Sequence, residues 1–382
     1  MPTPQPLLLS KGFSLEDSRN YTIFGCVQWE IPGKNSREIR ANVGHLALPK
    51  CLELALNQGI DKFNGRQLGY PTPDARTFNS IEDIMEAYLK QVNFFTEKMV
   101  RIDSICQAVC EKWFPRPYGS ALLDDHIRMG KDVTQWRYHS YSDIIALGPT
   151  NVADSLAAIK KLVFEERAIT MEELLEAIDT NFEGREDMRQ MLLSAPKYGN
   201  DDAYVDSIAR EVQERTGKEI AKFTDYWGYP LFTDGSGTSG NFSLAVGTGA
   251  TPDGRKDREP FADAVLSPVS GRDLKGPTAV LKSASRIDPF SQGSLLLNQK
   301  FLPQFLEGDN KRLFASYLKT WADLGIYHIQ FNVADQAMLL DAQEHPEKYT
   351  NLIVRIAGYS AYFVDLPKGL QDDIIKRTEQ SF

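Results

Sequence analysis

The sequence predicts a mixed α/β fold. Two observations carry that expectation: short strand-like segments at Tyr21–Phe24 and Tyr327–Val333, and long intervening stretches with apolar residues at helical spacing and charged outer faces. A third is size, since 382 residues, 42% of them hydrophobic, suffice for a core larger than that of one small domain.

Taken in order, Met1–Lys11 is proline-rich and reads as a tail or a cut end. Ser14-Leu15-Glu16-Asp17 has the form of a capping box and starts a short helix. Tyr21–Phe24 is a buried strand that runs into Gly25-Cys26. Gly44–Asn57 places Leu46, Leu48, Leu52, Leu54, Ala55 and Leu56 for a packed helix. Helical periodicity then spans Ile81–Val109, Val152–Phe182 and Asp201–Thr224. From Tyr226 the texture turns to Gly, Ser and Thr, through Phe232–Asn241. A phosphate cradle there would need the Walker lysine, which is missing, so the stretch reads as loop. Tyr327–Val333 alternates like a strand, and Asp335–Glu344 is helical and stops before Pro346. Leu352–Pro367 is again apolar and strand-like, with Gly358 in its middle.

Composition narrows the function. The net charge of −9, with no basic stripe and no RNP-like aromatic pattern, argues against nucleic acid or an anionic membrane as partner. No charged leader with a cleavage site and no apolar run of transmembrane length is present. Four cysteines, Cys26, Cys51, Cys106 and Cys110, fit a reducing, cytoplasmic location. Cys106 and Cys110 share one side of a helix and, without two further soft ligands nearby, read as core rather than as a metal site.

A glycine inside a strand ordinarily marks a bulge, a bend or a close approach. Here the wider segment says more. Arg355-Ile356-Ala357-Gly358-Tyr359-Ser360, then Ala361-Tyr362-Phe363 and a terminal helix, resembles the radical-bearing loop of the glycyl radical enzymes, the pyruvate formate-lyase-like superfamily. Gly249–Lys256, Glu259–Asp263, Gly276–Leu281 and Leu295–Lys300 occur in the order seen in the glycerol-dehydratase-like branch. Gly25-Cys26-Val27, followed by Ile31-Pro32-Gly33-Lys34, is similar to the family's cysteine loop, at about the family's separation from the glycine. The resemblance covers essentially the whole chain.

Chemistry explains why the first position is glycine. A radical at Cα is stabilised between an electron-donating amide nitrogen and an electron-withdrawing carbonyl when the three are coplanar. A Cβ would strain that form, and glycine lacks one. The second position must lose a hydrogen atom rather than a proton, so a depressed thiol pKa would bring no advantage. It does need a dry pocket, because radicals open to water or oxygen are lost to side reactions.

The resemblance therefore implies the second half of a ten-stranded β/α barrel with helices outside, over residues 1–250, and a glycine radical domain over 251–382. It implies Cys26 and Gly358 as the catalytic pair, with no bound cofactor, the radical being installed at Gly358 by a radical-SAM activating enzyme. It further implies a small-molecule substrate and a homo-oligomer when complete. Family catalytic subunits carry several hundred residues ahead of the cysteine loop, so the chain is expected to be a fragment or a split subunit that needs an N-terminal partner. A half-barrel alone would present open strand edges and an open apolar interior.

Two departures bear on the reaction. Dehydratases, choline and sulfonate lyases and arylacetate decarboxylases of the family commonly place a glutamate base two residues after the cysteine, and here that residue is Gln28. A neutral amide accepts no proton near neutral pH. The Trp-His-Asp-like stretch expected further on is replaced by Arg37-Glu38-Ile39-Arg40, whose arginines offer a donor fork for a carboxylate. Gln28, Arg37 and Arg40 as substrate-binding residues resemble the fumarate-adding, benzylsuccinate-synthase-like branch, which is the expected subclass. Each arginine reads equally well as a surface charge. Dehydratase, C–N or C–S lyase, arylacetate decarboxylase and formate acetyltransferase-like chemistry stay open, as does a non-catalytic fragment or spare radical donor. The retained cysteine weighs against a donor, which needs only the glycine end.

Overall fold

The structure is a computed structural model and describes residues 5–34, 42–139, 142–237 and 239–380. β1 (Thr22–Phe24) and β2 (Gln28–Glu30) form an antiparallel hairpin with Ile23 opposite Trp29. β3 (Asn42–Ala47), β4 (Asp143–Leu147), β5 (Phe232–Gly235) and β6 (Ser294–Leu295) follow as a parallel sheet in that order. β7 (Leu297–Phe301) pairs in parallel with β8 (Ile329–Val333). β9 (Ile353–Arg355) and β10 (Ser360–Tyr362) make a second antiparallel hairpin, and β11 (Glu379–Gln380) joins β7 on its other edge.

Parallel neighbours need long crossovers, and helices supply them. Leu48–Leu56 and Ile81–Trp113 lie between β3 and β4, Pro149–Ile159 and Ala203–Ile220 between β4 and β5, and Pro277–Ser285 between β5 and β6. Asn310–Asp323 connects β7 to β8. β4 is buried along its whole length, as a central parallel strand covered on both faces should be.

The largest core joins these crossover helices to the sheet strands, with Tyr88 and Thr216 sharing a hydroxyl hydrogen bond of 2.9 Å inside it. A separate apolar cluster contains Leu339, Val354, Ile356, Phe363, Leu370 and Ile374, and it reaches the first hairpin through Val27. The C-terminal hairpin and the helix Lys368–Lys376 thus pack in a cluster apart from the main core, shared with the helix Gln336–Glu344 and with Val27, Ala264 and Leu296.

Several local expectations change. The N-terminal residues are not merely a tail, because Gln5–Ser10 is helical with Leu7 and Leu8 buried. Gly44–Ala47 belongs to β3, where pairing with β4 outweighs the apolar periodicity that suggested a helix. The helix begins only at Leu48, with Pro49 in the first turn, where a missing N–H is harmless. Val152–Phe182 is not continuous. Pro149–Ile159 passes through a π turn at Lys160–Glu165, and a Thr170–Glu173 capping box restarts the chain at Met171–Asp179. Cys106 is exposed rather than part of a core, because the Ile81–Trp113 helix is buried mainly over its first half, with Asp103 the last buried residue.

Candidate active site

The site is built where the tips of the two antiparallel hairpins meet. Gly25, at φ +59°, turns the chain between β1 and β2 and leaves Cys26 half-buried at the tip. The side chain of Gln28 folds back over this turn. Its Oε1 accepts from the Cys26 N–H at 3.1 Å and from the Val27 N–H at 3.5 Å. Its Nε2 donates to Asp234 Oδ2 at 2.6 Å. Asp234, fully buried on β5, also accepts from the Ser236 N–H at 2.9 Å, the Ser236 hydroxyl at 3.1 Å and the Ser294 hydroxyl. Gln28 is therefore a strut between the cysteine turn and a buried carboxylate, with both ends of its amide engaged.

On the opposite side, the Ile356 N–H donates to the Tyr359 carbonyl at 2.9 Å and closes the β9–β10 turn around Gly358. Gly358 is buried at φ +89°, a backbone region that L side chains rarely adopt. A Cβ built on it would overlap the Cβ and Sγ of Cys26 and lie 2.6 Å from the Cys26 Cα. The thiol donates to the neighbouring Ala357 carbonyl at 3.3 Å. The two residues singled out 332 positions apart in sequence are thus in direct contact.

Polar side chains of β8 and the terminal helix hold the glycine turn. Asn332 accepts from the Arg355 N–H at 2.6 Å and donates to the Arg355 carbonyl. Arg377 donates to the Ile356 carbonyl at 2.7 Å, its buried charge compensated by Asp373 at 3.0 Å and Asp263 at 3.1 Å. Gln330 touches both loops. Its Oε1 accepts from the Gly358 N–H and from Arg355 Nε, each at 2.9 Å, and its Nε2 reaches the Cys26 carbonyl at 3.4 Å. Gln330 Nε2 also lies 2.9 Å from His328 Nε2. Burial, reinforced by the positive Arg355, pushes the His328 imidazole down to about 4. A neutral ring can accept the amide proton and so fixes which way the Gln330 carboxamide points. Histidine-selective NMR should show His328 neutral from pH 8 to below pH 5, and a midpoint above 6 would contradict this orientation.

Of the residues predicted from sequence, Cys26 and Gly358 are brought together and Gln28 stands beside them. Arg37 and Arg40 lie outside the described residues. Asp234, Gln330, Asn332, His328 and Arg377 were not anticipated. For three of them a signal existed: His328, Gln330 and Asn332 recur at period two on a strand whose other face is Ile329, Phe331 and Val333. A buried polar face on a strand has to meet polar partners. Among the described residues no cluster of three His, Cys, Asp or Glu side chains could hold a metal ion, and no helix is long and apolar enough to cross a membrane.

The Gln28 strut makes the stability of the fold sensitive to a carboxylate at that position. Gln28→Glu would set a second carboxylate against Asp234 at hydrogen-bond distance, where the two cannot both ionise, and would remove the donor Asp234 receives. The expected result is a loss of about 1–3 kcal/mol in stability at neutral pH, partly recovered as pH falls and the pair takes up a proton. Denaturant unfolding between pH 5 and 8 checks this, and an unchanged or raised stability at pH 8 would refute the strut.

With this geometry established, comparison with known proteins is informative. Residues 4–242 match the family model described as pyruvate formate lyase-like, and residues 262–364 match that described as glycine radical. The trans-4-hydroxy-L-proline dehydratase of Clostridioides difficile is 37% identical over 98% of this chain and 47% of its own length. The isethionate sulfite-lyase of Oleidesulfovibrio alaskensis is 38% identical over 98% of this chain and 46% of its own. The glycerol-bound structure of the B12-independent glycerol dehydratase from Clostridium butyricum superimposes with a TM-score of 0.94 at 38% identity, over 99% of this chain and 48% of that one. The chain spans about half the length of each of these relatives.

Proposed function

The chain belongs to the pyruvate formate lyase-like family of glycyl radical enzymes, and from that premise we propose that it carries the radical-storing and radical-using residues of an anaerobic eliminase. In this reading Gly358 stores the radical and Cys26 uses it. The observation that carries the proposal is the contact of the Cys26 side chain with the Gly358 backbone, close enough for a hydrogen atom to pass between them. The transfer is balanced: the Cys26 S–H bond breaks, a Cα–H bond forms at Gly358, and the unpaired electron moves to sulfur. The thiyl then takes a hydrogen atom from a substrate carbon, an adjacent leaving group departs, and the product radical recovers the hydrogen atom from the thiol.

The relatives, by their names, act on hydroxyproline, isethionate and glycerol, each bearing a hydroxyl group. That favours dehydration or C–S cleavage over the fumarate addition suggested by Gln28 and the two arginines, and the latter reading is set aside. Its main support weakens as well, since the Gln28 amide is committed to Asp234 and the Cys26 turn. The radical would be installed by a radical-SAM enzyme. Because Gly358 is buried, the activating enzyme requires the C-terminal hairpin and helix to leave the site, giving up the contacts with Val27, Ala264 and Leu296 that tie their apolar cluster to the rest of the fold.

The test uses the complete protein that contains this sequence, activated anaerobically. It is offered trans-4-hydroxy-L-proline, isethionate, glycerol and 1,2-propanediol, and in parallel labelled fumarate with an alkylarene. Water or sulfite release from a member of the first panel is the expected result. A substituted succinate with no product from that panel would overturn the reading.

A further inference from the structure

The hydrogen bonds around Gly358 are arranged on the two groups that stabilise a radical at its Cα. Its N–H donates to Gln330 Oε1 at 2.9 Å, and its carbonyl accepts from an Arg355 terminal nitrogen at 3.1 Å. Drawing the proton of an amide toward an acceptor makes its nitrogen a better electron donor, and a cation at the carbonyl oxygen makes that carbonyl a better acceptor. The same Arg355 donates through Nε to Gln330 Oε1 at 2.9 Å, so one guanidinium and one carboxamide form a closed clasp over the peptide units flanking the Cα. The other end of that carboxamide contacts the Cys26 carbonyl and neutral His328.

We propose that Gln330 and Arg355 tune the Gly358 radical as a push–pull pair, Gln330 acting on the amide nitrogen and Arg355 on the carbonyl, and so set how often the radical resides on Cys26. The inference rests on the proposed function and extends it from where the radical sits to what controls its distribution. The step concerned is the exchange Gly358 Cα• + Cys26 S–H ⇌ Gly358 Cα–H + Cys26 S•, in which one hydrogen atom crosses and no outside reductant takes part. Strengthening either contact favours the left side, and weakening either favours the right. Both residues are positioning residues with respect to substrate, because they act through the Gly358 peptide.

In heavy water the exchange has a direct reading. While the radical rests on Gly358, the Cys26 thiol exchanges its hydrogen for deuterium. The next transfer delivers that deuterium to the Gly358 Cα, and the thiyl's return abstraction of the remaining hydrogen leaves a deuterated Cα radical. The doublet electron paramagnetic resonance signal of the glycyl radical therefore collapses toward a singlet. Three variants of the complete, activated protein are compared with the unaltered one. Arg355→Met removes the pull and should accelerate the collapse at least fivefold, with Arg355→Lys in between. Gln330→Glu strengthens the acceptor at the N–H and should slow it by a similar factor. Loss of a merely structural contact would move the variants in one direction, so opposite shifts are the signature. If Arg355→Met forms no radical, Arg355→Lys carries the test and must collapse faster than the unaltered protein. Equal rates in all variants, or shifts of the same sign at the two positions, would overturn the proposal. A missing doublet in the unaltered protein would overturn the proposed function and this inference with it.

Discussion

Gly358→Ala should abolish the glycyl radical signal and drop turnover to background, a loss on the order of 10⁶-fold or more, since an enzymatic rate enhancement is typically at least that large. Two causes act together. An alanine Cα radical is strained where the glycyl radical is planar, and the added methyl collides with the Cys26 side chain. The collision and the positive φ of +89° should also cost stability, about 1–3 kcal/mol from overpacking. A double-mutant cycle separates the causes. Cys26→Ala on the Gly358→Ala background opens space for the methyl, so part of the stability should return while the radical does not. Exposure of the activated protein to oxygen supplies a second reading, cleavage at Gly358 with release of the peptide that follows it. That peptide should be missing from Gly358→Ala, and its persistence would move the radical elsewhere.

The second large effect is expected at Cys26. Cys26→Ser keeps size, polarity and a donor for the Ala357 carbonyl, so the turn should fold unchanged. An O–H bond is much stronger than S–H, so a serine cannot relay the hydrogen atom. The Gly358 radical should form at the usual yield and oxygen should still cleave the chain, while turnover disappears. Residual turnover above a few per cent of the unaltered enzyme would exclude a thiyl relay and point to acid–base chemistry instead. The paired outcome matters: radical without turnover at Cys26→Ser, neither at Gly358→Ala.

Much of the proposed radical site was readable from the chain because two of its loops resemble those of a family whose chemistry demands particular residue types. A radical stored on a backbone needs glycine, and a hydrogen-atom relay needs a thiol. Gly358 within Arg355–Ser360 and Cys26 within Gly25–Val27 stood out through that resemblance. Gln28 also stood out, but its role did not. As an isolated amide it suggested a substrate contact, whereas the fold places Asp234, 206 residues away, at the far end of its side chain and turns it into a strut.

Local sequence determined the glycine turns that present Cys26 and Gly358, the Ser14-capped start of the helix Leu15–Arg19, and the amphipathic crossover helices, because caps, glycine turns and 3.6-residue periodicity act over a few neighbouring residues. Tertiary structure alone decided that Gly44–Ala47 would be a strand beside β4 rather than the start of a helix, that His328, Gln330 and Asn332 would face the glycine turn, and that Arg377 would close over Ile356. Those outcomes depend on hydrogen-bond partners contributed by distant segments, and a buried polar group takes its role from whichever partner the fold brings within about 3 Å of it.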